Sequence, residues 1–194
     1  MLGSEISFFT ENPTLRLPGG RQVTLRPARP DDVPRTQAFV RSLSPRSHRR
    51  RFYGRLPALG VQALESPTAA TNPRYQALVA TVLEGSREVL VGDARFVLEG
   101  DGRDAEFAIV VSDTLRRQGL GRALMLALQQ AASELGVRWL HGEVHDDNPA
   151  MMTLMHSLGF VPARRDEDAG LVMFEQRVNA PGRAGLEVGE AELG

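Results

Sequence analysis

Cysteine is absent from the 194-residue chain. Disulfides, thiolate nucleophiles and cysteine-based zinc sites are therefore excluded, and no metal site is expected. A chain without disulfides suits a reducing cytoplasm, which is the expected location. Long apolar runs are also missing. None approaches the roughly 20 residues that a membrane helix needs, and the opening Met1-Leu2-Gly3-Ser4-Glu5 lacks the basic start of a signal peptide. Charge of one sign is not in excess. The formal net charge is -1, so no global basic field favours nucleic acid. Neither nucleic acid nor membrane is an expected partner. What is present, 42% hydrophobic and 24% charged residues, is the make-up of an ordinary globular protein, and the length suits one domain.

The patterning gives an order of elements. Thr14–Leu17 and Val23–Arg26 alternate around a Pro18-Gly19-Gly20 turn and read as a hairpin. Pro30-Asp31-Asp32 offers a helix start with aspartate as the cap, running to about Leu43. Ser44-Pro45 starts a second, very basic helix through Arg46, His48, Arg49, Arg50 and Arg51. Another short helix is expected between Pro57 and Pro67. Tyr75–Leu83, Val89–Leu98 and Ala105–Val111 are separated by glycine-bearing turns and should form an antiparallel meander. Leu120, Leu124, Leu128, Ala131 and Leu135 then recur at helical spacing until Gly136. A strand at Arg138–Val144, a helix at Pro149–Leu158 and strands near Phe160–Ala163 and Leu171–Val178 complete the series. The expected fold class is α/β (α+β): one mixed domain over 14–178 with a mainly antiparallel sheet and flanking helices. Residues 1–13 read as a loose arm and 179–194 as a disordered tail rich in Gly, Pro and Glu. There is no internal repeat.

The most informative stretch joins the strand Ala105–Val111 to the long helix through Arg116-Arg117-Gln118-Gly119-Leu120-Gly121-Arg122. Glycines let the backbone approach a ligand closely, and the free amides of a first helical turn favour a diphosphate. Arg116, Arg117 and Arg122 add charge-assisted donors. A P-loop would need a lysine that is missing here. A dinucleotide fingerprint would need a third glycine and a parallel β-α-β unit. An acyl-CoA site and a plain glycine-softened helix start with solvated arginines remain.

At this point the chain resembles the GNAT superfamily of acyl-CoA N-acyltransferases. Arg116, Gly119 and Gly121 match its [Arg/Gln]-x-x-Gly-x-[Gly/Ala] signature. Asn148, the short helix after it and Gly159-Phe160 match a second family pattern. The resemblance covers roughly residues 14–178. It implies acetyl-CoA as co-substrate and an amine as acceptor. It also implies a splayed strand pair in which backbone groups around Ile109, Val110 and Val111 pair with the pantetheine arm. The amides from Gln118 through Leu120 to Arg122 would take the pyrophosphate, and Asn148 would touch CoA while also being a good helix cap.

Direct attack by an amine needs a base. Glu106 is the first candidate, because a carboxylate in a partly dry cleft can be raised toward neutrality. His141, Glu143 and His145, alternating along the facing strand, are the runners-up. The resemblance also places Met155 beside the cofactor, where many relatives carry a tyrosine that protonates the leaving thiolate, and methionine cannot donate a proton. The segments Arg21–Asp32, Ser42–Pro45 and Arg51–Gly54 look like the GNAT domain of bacterial Pat-type protein-lysine acetyltransferases. That subgroup is similar in placing its base in an Ala-Glu-Phe-Ala context, here Ala105–Ala108, and often lacks the tyrosine. Protein lysine is thus the expected acceptor. A small-molecule amine, a non-catalytic acyl-CoA-binding regulator and a nucleotide-binding domain are the alternatives. The basic segment 46–55 could steer an acidic partner. Monomer and homodimer are both compatible with the sequence.

Overall fold

The structure is a computed structural model and describes residues 12–52 and 72–178. The short helix expected between Pro57 and Pro67, the tail from residue 179 and nearly all of the N-terminal arm lie outside the described residues. The strands are β1 (Thr14–Arg16), β2 (Gln22–Pro27), β3 (Tyr75–Glu84), β4 (Arg87–Glu99), β5 (Asp104–Val111), β6 (Trp139–His145), β7 (Val161–Asp166) and β8 (Leu171–Arg177). The helices are α1 (Val33–Ser42), α2 (Pro45–Phe52), α3 (Leu120–Glu134) and α4 (Pro149–Ser157). The strands form one eight-stranded sheet in the order β1-β2-β3-β4-β5-β6-β8-β7. Every neighbouring pair is antiparallel except β5 and β6, which are parallel. That one parallel step follows from chain order: α3 crosses between β5 and β6, and a crossover brings the chain back in the same direction.

The helices divide between the two faces. The apolar stripe Leu120, Leu124, Leu128 and Ala131 of α3 is buried in the larger core, together with Phe96, Phe107 and Leu140 of the sheet and Met155 of α4. Each fully buried leucine contributes about 1.5–3 kcal/mol over its exposed state. Phe39 and Leu43, of α1 and its end, cover Val79, Leu90 and Val110 on the opposite face, with Phe52 of α2 packed alongside. Side chains alternate along β5, so Phe107, Ile109 and Val111 face the α3 side while Glu106, Ala108 and Val110 face α1 and α2.

Two details differ from the expectation. The segment Pro30–Asp32 is a 3-10 turn rather than the first turn of α1. Asp32 precedes α1 but makes no side-chain cap on it. Its carboxylate instead accepts from Arg26 Nη1 and Nη2 at 2.6 and 2.8 Å and from the Arg29 amide at 2.8 Å. A buried guanidinium competes for that carboxylate more strongly than helix amides do. Ser44 behaves as expected, its Oγ accepting from the Ser47 amide at 3.3 Å at the start of α2.

Candidate active site

Strands β5 and β6 pair over Asp104↔Trp139, Ala105↔Leu140 and Glu106↔His141, and no further. Beyond Glu106 they separate, so β5 from Phe107 to Val111 has β4 on one side and, among the described residues, no strand on the other. The point of divergence is wedged. A Cβ on Gly142 would lie 2.8 Å from the Phe107 ring and 2.9 Å from the Phe107 carbonyl oxygen, so only glycine lets the aromatic sit there. Phe160 packs edge-on against that ring at 5.3 Å between centroids.

A cleft of about 720 Å³ opens from this divergence, within the range of ligand sites. Both helical layers reach it. Ile109, Val110 and Val111 form one wall, Glu143 and His145 the other, and Ser47, Arg50 and Arg51 of α2 cover one side. Gly119, Gly121 and Arg122 stand at the mouth, and Asn148, Met151 and Leu154 line the α4 side.

The glycines of the mouth differ in their reasons. Gly119 has φ 88°, a left-handed conformation that brings the chain sharply into α3. Gly121 sits where a Cβ would come within 3.6 Å of Leu154 and 3.8 Å of Val111, and its bareness keeps the gap between β5 and α4 open. The first intrahelical bond is donated by Ala123 to the Gly119 carbonyl at 3.0 Å. The amides of Leu120, Gly121 and Arg122 therefore have no intrahelical acceptor.

The arginines of the loop are not equivalent. Arg116 Nη2 donates to Ser47 Oγ at 2.5 Å and pairs with Asp113 at 3.0 Å, which ties the loop to α2. Asp113 also accepts from the Ser44 amide and from Ser47 Oγ, and these bonds and Arg116 hold its carboxyl below the usual range against the opposing effect of burial. Arg122 reaches Ser157 Oγ at 3.1 Å. Arg117 is exposed with φ 59° and lines the cleft. The Gln118 side chain bonds back to the Thr114 carbonyl at 3.2 Å and the Leu120 side chain is fully buried in the core, so neither side chain lines the cleft.

Glu106 is 8% exposed, at the last paired position before the strands part. Burial, and then the like charges of Glu143 and Glu99, push its carboxyl up to about 7. Asn148 caps α4, its Oδ1 accepting from the Met151 amide at 3.4 Å, and also lines the cleft. Met155, expected beside the cofactor, is instead fully buried in the core; Met151 and Leu154, on the adjoining face of α4, line the cleft in its place. Tyr75 is buried and accepts from Arg95 Nη1 at 3.3 Å, while Tyr53 lies outside the described residues.

The basic helix α2 also departs from expectation. Arg49 Nη2 and Arg50 Nε bind the carboxylate of Asp147 at 2.9 and 3.0 Å, and Arg46 and Arg50 also donate to its carbonyl. Much of the basic surface is thus engaged within the chain. Asp147 was not legible as a site residue, because nothing local in the sequence pairs it with a helix about 100 residues earlier.

Residues 22–161 match the family model described as an acetyltransferase (GNAT) domain. The chain belongs to the GNAT acetyltransferase family. It is 30% identical over 157 residues to an acetyltransferase of Pseudomonas aeruginosa, covering 81% of this chain and 84% of the relative. The GNAT domain of S. lividans PAT superposes with a TM-score of 0.71 at 24% identity, over 86% of this chain and 96% of that one, a likeness of fold. A cAMP-binding acyltransferase from Mycobacterium smegmatis superposes with a TM-score of 0.59 at 30% identity, over 90% of this chain but only 50% of that longer one. This GNAT protein is therefore an acyl-CoA-dependent N-acetyltransferase with acetyl-CoA as co-substrate. Its described residues suit that molecule: an unpaired strand edge, a cleft of sufficient volume and free helix-end amides at the mouth. Among the described residues no helix is long and apolar enough to cross a membrane.

Proposed function

We propose that this GNAT acetyltransferase transfers acetyl from acetyl-CoA to a protein lysine by direct attack, with Glu106 as the general base. The observation that carries the reading is a buried carboxyl, raised to about 7, at the apex of the opening between β5 and β6. In this reading the edge of β5 at Ile109, Val110 and Val111 aligns the pantetheine arm. The amides of Leu120, Gly121 and Arg122, with Gln118 and Gly119 before them and Arg117 beside them, hold the pyrophosphate. Arg116 acts by fixing the loop to α2, and Asn148 orients the α4 side of the cleft.

The thioester supplies the acetyl group. The acceptor ammonium gives one proton to the Glu106 carboxylate, the neutral nitrogen bonds to the carbonyl carbon and the carbon–sulfur bond breaks. With Met155 in the core, the thiolate takes the second proton of the attacking nitrogen, directly or through solvent, as the adduct collapses, which leaves the neutral amide. A base at about 7 is half ionised at neutral pH, near the best compromise between availability and strength. The Ala105-Glu106-Phe107-Ala108 context, similar to Pat-type enzymes, supports lysine as the acceptor. The absence of cysteine agrees with a cytoplasmic setting and with transfer that needs no thiol acyl-enzyme.

The test is acetyl-CoA turnover with lysine-bearing proteins and peptides beside small amines, in the native protein and Glu106→Gln. The chain contains no lysine, all 23 of its basic residues being arginine, so acetyl-lysine formed in the mixture belongs to the acceptor. Glu106→Gln should lower turnover by roughly 10²–10⁴-fold while acetyl-CoA affinity persists. Near-native turnover in that variant overturns the assignment of the base, and acetylation confined to small amines overturns the assignment of the acceptor.

A further inference from the structure

The sheet face that carries Glu106 also carries a carboxylate and an imidazole joined to each other. On β4, Val97 is the register partner of Glu106 and Glu99 lies two residues further along the same face. On β6, His141 is the partner of Glu106 itself. Glu99 Oε2 lies 3.1 Å from His141 Nε2. The bond thus crosses over β5 at the closed end of the splay, beside the buried carboxyl.

Against an ionised Glu99 the hydrogen of this bond sits on Nε2, and in the neutral imidazole Nδ1 is then the acceptor. Nδ1 is buried, and it has no hydrogen-bond partner among the described residues. A buried acceptor with no protein partner costs free energy unless a water meets it, a cost that a purely structural histidine would avoid. The His141 side chain is 16% exposed and that of Glu99 40%, so the pair runs from the interior toward solvent. The charged and titratable groups on this face of the sheet are Asp93, Arg95 and Glu99 on β4, Asp104 and Glu106 on β5, Glu143 and His145 on β6, and Glu175 and Arg177 of β8, Glu175 being the other register partner of His141. Arg95 is committed to Asp93.

We propose that Glu99 and His141 form the proton outlet of the site: Glu99 holds His141 in the Nε2–H tautomer, and Nδ1 receives, through water, the proton that Glu106 has taken from the acceptor. This rests on the reading of Glu106 as base. In the step, an O–H bond at Glu106 breaks and an N–H bond at Nδ1 forms. The imidazolium stands against the Glu99 carboxylate, and one N–H proton passes to bulk water, restoring the ionised Glu106 for the next acceptor. No other bond changes and no electron is transferred. His141 and Glu99 act through Glu106, so both are positioning residues rather than catalytic ones.

Two measurements test the outlet. Long-range proton–nitrogen correlation on the full chain reads the His141 tautomer without any acceptor. Nε2–H is expected in the native protein, and loss of that fixed tautomer in Glu99→Gln. An Nδ1–H tautomer in the native protein overturns the proposal. Turnover is then followed with acetyl-CoA and two amine probes, a lysine-bearing peptide and spermidine, at increasing imidazole concentration and constant ionic strength. His141→Gln and Glu99→Gln should lose about tenfold or more in kcat, less than the roughly 10²–10⁴-fold of a group that transfers the proton of the reacting atoms itself. Their KM for acetyl-CoA should be unchanged and added imidazole should restore the rate. Native kcat in both variants, or a loss that imidazole does not restore, overturns the outlet. Glu106→Gln, run in parallel, separates the two readings. If it is inactive while His141→Gln is native-like, the outlet alone fails; if it is active, the base assignment fails.

Discussion

Glu106→Gln should make the protein more stable, and increasingly so as pH rises. The carboxyl ionises near 4.5 in an unfolded chain and at about 7 in the folded one. Below the unfolded value both states hold the proton and the group contributes nothing adverse. As pH rises, the unfolded chain releases the proton first, so stability is progressively lost until the folded group also ionises, and the loss levels off above about 7. The displacement corresponds to about 3 kcal/mol, from burial first and from Glu143 and Glu99 second. Glutamine removes the titration and keeps the shape. Any fixed penalty from its buried amide shifts the comparison equally at every pH, so the slope is the diagnostic. Urea unfolding of both proteins at several values between pH 4.5 and 8 should show the stability difference moving in favour of the variant by about 3 kcal/mol. Groups shifted the other way, such as Asp32 and Asp113, are common to both proteins and cancel. A difference that stays flat with pH would refute the claim that the fold holds this carboxyl in a destabilising place.

Gly142→Ala should cost about 1–3 kcal/mol in urea unfolding, since the new methyl meets the Phe107 ring at 2.8 Å and its carbonyl oxygen at 2.9 Å, and acetyl-CoA affinity should fall with it. Gly119→Ala meets open space but holds a left-handed φ of 88°; calorimetry should show about 1 kcal/mol lost in stability and a larger loss in acetyl-CoA binding. Asp32→Ala leaves the Arg26 guanidinium, 2% exposed, with Glu88 as its remaining carboxylate, and should cost about 3–5 kcal/mol in chemical denaturation. The stability that the Asp32 carboxylate contributes should be lost on acidification, as pH falls through its depressed folded value. Asp147→Asn should raise acetyl-CoA affinity by roughly two- to fivefold in titration calorimetry, because it removes an anion from beside cleft-lining Arg50; weaker binding would count against that reading.

Local rules made most of the frame legible. The meander of β3, β4 and β5 follows from alternation and glycine turns, and α3 from the spacing of Leu120, Leu124 and Leu128 ended by Gly136 at φ 75°. The mouth of the cleft was legible because Gly119 and Gly121 advertise backbone geometry in their identity. Glu106 stood out through its place on the strand that leads into the glycine loop and through a four-residue context. Its burial depends on β4 and β6 closing around it, which no window of sequence contains. Glu99 could not be found at all by spacing, since its partner His141 lies 42 residues away across an intervening strand. Met155 misled for the opposite reason. Its place in the motif suggested a cleft position, but a thioether carries no polar atom that must reach water, and the core took it.

The basic helix joins these threads. One end of α2 is bound to the loop after β5, through Asp113 with Ser44 and Ser47 and through Arg116 on Ser47. Its Arg46, Arg49 and Arg50 are bound to Asp147, in the loop after β6. The two strands that part beneath it are therefore connected again above their gap, by side chains rather than by backbone. A sheet missing its hydrogen bonds from Phe107 onward would otherwise be free to widen or close there, and the aromatic wedge at Gly142 resists only closure. Contacts with exposed arginines contribute about 1 kcal/mol or less apiece, too little to lock the opening and enough to set its resting width. The charge that looked like a surface for partners is, for these arginines, the means by which an interrupted sheet keeps its gap.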